Sequence, residues 1–188
     1  MRAPEPSITW SCPGQRRRQV RLRTVMTTSV TPASDFAKPI DDRYFEDYIP
    51  GSVHTYGSIT VTEEEILEFS RRFDTQSFHT DPVAAERGPF KGLIASGWHT
   101  TAVMMRLYAD HYLSKVASLA SPGIDELRWL QPVRPGDALS IRATVKQARA
   151  SRSKSDRGLV HTWVEVLNQR EEAVMTLTIM NILRRRQE

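Results

Sequence analysis

Residues 97–119, GWHTTAVMMRLYADHYLSKVASL, decide the fold. Wound as a helix, they carry apolar side chains around most of the circumference, with His99, Arg106, Asp110 and Ser114 gathered on one narrow polar face. A long helix with so little polar surface is expected to be surrounded by protein, so the rest of the chain must wrap it. Downstream, LSIRATV alternates, placing Leu139, Ile141, Ala143 and Val145 on one face. GLVHTWVEVL and AVMTLTIMNIL are β-rich runs separated by the turn NQREE, and DELRWLQPV adds Leu127 and Trp129 in alternation. The polar stretch RASRSKSDRG reads as a hairpin connection. With a short strand around Ile59 and Val61, the expected class is α+β, a curved antiparallel sheet wrapped around a long central α-helix.

Upstream of the helix, Thr62 and Glu65 form a capping box, Glu63 and Glu64 add negative charge to the first turn, and Arg71 and Arg72 stand at the other end. Ile66, Phe69 and Phe73 recur along one stripe. The stretch FDTQSFHTD follows with no hydrophobic period, placing Asp74 at the helix end and His79 five positions on. Asp81 is read as the N-cap of a short helix, DPVAAERGPF, with Pro82 at its first position.

A chain of 188 residues, 39% apolar and 26% charged, suits one domain of ordinary core size. No run of apolar residues is long enough for a membrane-spanning helix. The single cysteine, Cys12, forms no internal disulfide and offers no metal-ligand set, which fits a reducing, cytoplasmic setting. His54, His111 and His161 have no metal-ligand spacing. Of the net charge of +4, residues 1–25 carry +5 and the remainder −1. The domain itself therefore has no excess charge for nucleic acid. Residues 1–39 are read as a disordered basic tail and linker, and 40–188 as one domain. The Arg-rich start also admits a transit peptide, or a true start at Met26; export is disfavoured because no apolar segment follows the arginines.

The order of elements and three local motifs resemble the MaoC-like dehydratase branch of the hot-dog fold, which includes R-specific enoyl-CoA hydratases. The resemblance covers about residues 44–183. It rests on Asp74, four residues, His79 and then Asp81-Pro82; on IASGWHT, with Gly97 at the head of the central helix; and on the turn QPVRPGD. Gln76 and Ser77 stand where the family often has Asn-Pro, and Ser96 and Trp98 flank Gly97 where His and Met are common.

The resemblance implies reversible hydration of a trans-2-enoyl thioester to a 3-hydroxyacyl thioester. Asp74 and His79 would activate water, while the Gly97 N–H, at the positive end of a helix, would meet the thioester oxygen. Glycine there would spare that oxygen a Cβ. Ser96, Trp98 and Gln76 are expected to line the substrate. No metal or redox cofactor is implied, coenzyme A entering with the substrate, and the expected partners are an acyl-CoA or acyl-carrier thioester and a second copy of the chain, at least a homodimer. Asp74 and His79 also admit bland readings, a helix end and a loop histidine. His99 is read as a partly buried helix histidine, Met104, Met105 and Tyr108 as core, and Arg106 and Arg134 as solvated cations. Two other functions stand beside hydration: thioester hydrolysis, for which Asp110 is the acidic candidate on the central helix, and non-catalytic binding as a partner subunit.

Overall fold

The computed structural model describes residues 36–187. Val53–Thr60 forms β1, Glu63–Phe73 α1, Ser77–Thr80 α2, Pro82–Arg87 α3 and Gly97–Leu107 α4; Ser118–Trp129, Ala138–Ala150, Arg157–Leu167 and Ala173–Arg184 are β2 to β5. The strands form one antiparallel sheet in the order β1-β3-β4-β5-β2. Leu139, Ile141, Ala143 and Val145 are all wholly buried, as their alternation requires. Met104 and Leu107 of α4 enter the same core, with Val160, Val164, Leu177 and Leu183 from the neighbouring strands. Each such aliphatic side chain contributes ~1.5–3 kcal/mol when fully buried. A curved antiparallel sheet packed on one helix is the hot-dog arrangement.

The central helix is shorter than its apolar content suggests. α4 passes at Tyr108 into a π-helical turn ending at Tyr112, and Leu113 is extended. Distant residues impose the stop. Arg43, buried and stacked on Phe36, donates to the carbonyls of His111 (3.2 Å) and Tyr112 (2.7 Å). The Tyr48 hydroxyl donates to the Tyr112 carbonyl and accepts from the Ser114 N–H. A cation and a hydroxyl thus take the carbonyls another turn would have used. Ser114 Oγ then accepts from the N–H groups of Val116 and Ala117, turning the chain into β2. Residues read as the end of the helix therefore begin a strand.

The polar face divides as well. His99 and Ser114 are buried, whereas Arg106 and Asp110 are exposed and paired with each other. The sheet also leaves one side of α4 bare: Trp98, Ala102 and Met105 face outward. Met104 and Tyr108 are core, and Met105 is not.

Phe36, placed by its sequence neighbours in a linker, belongs to the fold, with its ring against Tyr48, His54 and Tyr112. The rest of the expected tail, residues 1–35, lies outside the described residues. Among the described residues no helix is long and apolar enough to cross a membrane.

Candidate active site

Three short-range features aim Asp74. The capping box fixes the start of α1, Thr62 Oγ1 accepting from the Glu65 N–H and Glu65 accepting from the Thr62 N–H. Ile66 and Ser70 bury its inner face. Asp74 then caps its end, N–H to the Ser70 carbonyl at 2.9 Å. The chain crosses to α2, a single turn that carries His79 where the sequence suggested a loop. Asp81 accepts from the N–H groups of Val83 and Ala84, the N-cap expected for α3.

His79 is buried, and its Nδ1 lies 2.8 Å from the Ile94 carbonyl. A carbonyl only accepts, so Nδ1 carries a proton, and in the tautomer this selects the lone pair is on Nε2. Nε2 stands 3.5 Å from Asp74 Oδ2. Ile94 is itself fixed by its N–H to the Phe78 carbonyl, and Ala95 by its N–H to the Val133 carbonyl in the turn after β2.

Ser96 joins this pair to α4. Its hydroxyl, wholly buried, donates to Asp74 Oδ2 at 2.6 Å and accepts from the Trp98 N–H as the helix N-cap. Gln76 Nε2 donates to Asp74 Oδ1 at 2.9 Å. Burial pushes the Asp74 carboxyl up, but the hydrogen bonds from Ser96 and Gln76 hold it below its ordinary value. Ser96 and Gln76, expected as substrate contacts, each donate a hydrogen bond that fixes the orientation of this carboxylate.

Gly97 opens α4 beside them, and among the described residues its N–H has no hydrogen-bond partner. Its lack of a side chain has a cause the sequence did not reveal. A Cβ there would lie 2.5 Å from the Trp129 ring. Trp129 sits over the helix start, its Nε1–H directed at Thr101 Oγ1 (3.4 Å), which donates to the Gly97 carbonyl (2.9 Å). Trp98 points outward and meets Trp129 edge to face. The contacts of Trp129 and the Ile94 carbonyl are long-range, and only the three-dimensional fold supplies them.

The other candidates lie elsewhere. Asp110, the candidate for hydrolysis, is exposed at the far end of the helix and tied to Arg106. Arg134, read as a solvated cation, donates to the Phe90 carbonyl. Among the described residues no three His, Cys, Asp or Glu side chains gather as a metal set.

The comparisons with known proteins cover the segment that carries this geometry. A model described as "MaoC like domain" matches residues 45–166. The crystal structure of a MaoC-like dehydratase from Rhodospirillum rubrum superposes with a TM-score of 0.72 at 36% identity, over 78% of this chain and 99% of that one. A 3-hydroxyacyl-thioester dehydratase Z of Mycobacterium tuberculosis is 30% identical over 124 residues, 65% of this chain and 82% of that protein. The uncharacterized protein YdeM of Bacillus subtilis is 26% identical over 140 residues, 74% of this chain and 98% of its own length. Since the matched span takes in Asp74, His79, Ser96, Gly97 and most of the sheet behind them, the chain belongs to the MaoC-like dehydratase domain family.

Proposed function

We propose that the chain adds water reversibly to trans-2-enoyl thioesters, giving 3-hydroxyacyl thioesters. The observation that carries this reading is the convergence of two hydrogen-bond acceptors, Asp74 Oδ2 and His79 Nε2, 3.5 Å apart beside the head of α4. One water can donate a hydrogen to each at ~2.8 Å, turning an oxygen lone pair outward. As that oxygen bonds to C3 of the substrate, one proton passes to Nε2 and the hydroxyl stays on carbon. Asp74, ionised at neutral pH, stabilises the imidazolium. The Nε2 proton then goes to C2, so the elements of water are added and none is left over. Negative charge passing through the thioester oxygen is met by the Gly97 N–H and the positive end of α4.

The names of the Rhodospirillum and Mycobacterium relatives support acyl-thioester dehydration, the reverse of the same step. The reading assigns every proton transfer to side chains, so it takes no metal or redox cofactor, and coenzyme A or a carrier protein enters with the substrate. It is the reading of a cytoplasmic enzyme. The bare face of α4 around Trp98 and Met105, with exposed Trp129 at the end of β2 and exposed Leu130 just after it, favours pairing with a second copy. Purified protein is expected to bleach the conjugated enoyl-thioester absorbance of trans-2-enoyl-CoAs and to yield the 3-hydroxyacyl product without releasing thiol. A panel of chain lengths left unbleached would sink the reading.

A further inference from the structure

His99 lies on the same face of α4 as Ser96, one turn on, and the mechanism above leaves it unused. The residue is 7% exposed, and its ring stacks on Phe69 with centroids 4.9 Å apart. Phe69 in turn meets Phe73, the neighbour of Asp74. His99 Nδ1 is sealed from solvent and has no hydrogen-bond partner among the described residues. A buried polar atom left unpaired costs roughly 1–3 kcal/mol, and an apolar side chain would occupy this place without that cost.

Two open grooves meet at this ring. One, of about 740 Å³, runs between β1 and α4 over Ile59, Ala102, Val103 and Leu107. The other, of about 240 Å³, follows α1 past Phe69 and Phe73. Glu65 and His99 line both. Burial pushes the imidazole below its ordinary value, against a smaller upward pull from Glu65, so the ring is neutral at pH 7 and carries one N–H. An orphaned buried N–H is the rarer defect, which leaves the lone pair on the sealed Nδ1 and the proton on Nε2. The ring thus offers a donor to whatever fills the grooves.

Resting on the hydratase reading, we infer that these grooves take the acyl chain and that His99 donates a hydrogen bond to an oxygen carried beyond the double bond. The substrate class is then oxygenated 2-enoyl thioesters in preference to plain alkyl ones. A site built to pair a polar group discriminates strongly against the analogue that lacks it, because the buried donor is left unpaired.

The test compares kcat/KM for trans-2-heptenoyl-CoA and its 6-oxo derivative. Wild-type protein is expected to prefer the oxo substrate by about tenfold or more, and His99→Leu to lower that ratio at least tenfold, with His99→Gln, which keeps a donor, recovering part of it. A wild-type ratio at or below one overturns the inference whether or not the variants fold. A ratio unmoved in His99→Leu overturns it as well. Either result, with turnover of heptenoyl-CoA intact in the wild type, leaves the hydratase reading standing; no turnover of either substrate removes both.

Discussion

Ser96 and Asp74, 22 positions apart in the chain, are joined by a hydrogen bond of 2.6 Å that ties the head of α4 to the end of α1. The serine's other contact is the Trp98 N–H, so one hydroxyl both caps a helix and holds the carboxylate. Ser96→Ala is expected to lower kcat by about tenfold to a hundredfold, the range of one lost hydrogen bond to a charged group. It also removes a donor that holds the Asp74 carboxyl low, so that carboxyl rises. The titration of that carboxyl, followed by its 13C chemical shift, should therefore move to higher pH. A titration that stays in place would assign Ser96 to the cap alone.

The same carboxylate links stability to pH. Its folded-state pKa is depressed, so the unfolded chain takes up the proton first as pH falls. The stabilisation is fully present above the unfolded value of ~3.9 and is lost as pH drops through the lower folded value. Asp74→Asn should thus show a Tm deficit at pH 7 that narrows below pH ~4. Thermal melts across this range check it, and a deficit independent of pH would contradict it.

Gly97 and Trp129 make a second coupled pair. An alanine at position 97 would place its Cβ against the indole at 2.5 Å, so Gly97→Ala is expected to destabilise by about 1–3 kcal/mol, as overpacked sites do. The loss should shrink in the Trp129→Ala background. A double-mutant cycle from denaturant unfolding measures it, and additive losses would mean that the ring is not what excludes a side chain there.

What was legible in the sequence was local. The capping box of Thr62 and Glu65, the N-cap Asp81, the alternation of Leu139 to Val145 and the spacing of Asp74 and His79 each depend on neighbours a few residues away, and each takes the form its pattern implies. The end of α4 was hidden because Arg43 and Tyr48, far upstream, decide it. Periodicity carried the helix on to Leu119, since the residues after Tyr112 are as apolar as those before. The tautomer of His79 depends on the Ile94 carbonyl, and the glycine at 97 on a ring from β2; neither contact leaves a local trace. His99 looked like an ordinary helix histidine, and its unpartnered nitrogen emerges only once Phe69 is stacked on it.

Arg43 offers a test of the helix stop that is independent of catalysis. Arg43→Met keeps the apolar stem over Phe36 but removes the donors to the His111 and Tyr112 carbonyls. The expected cost is about 2 kcal/mol or more, because buried carbonyls lose charged partners. Denaturant unfolding reads it directly. A change within ~0.5 kcal/mol, the range of ordinary surface substitutions, would mean that Tyr48 alone ends the helix.

The central claim is that one water is held between Asp74 and His79, and the rate of trans-2-enoyl-CoA hydration in Asp74→Asn tests it most directly. The asparagine keeps the size of the side chain and loses the charge that supports proton transfer to Nε2. With the fold confirmed by circular dichroism, the account predicts a fall in kcat of ~10²–10⁴, the range of a lost general acid–base group. Hydration at the wild-type rate in Asp74→Asn would contradict it.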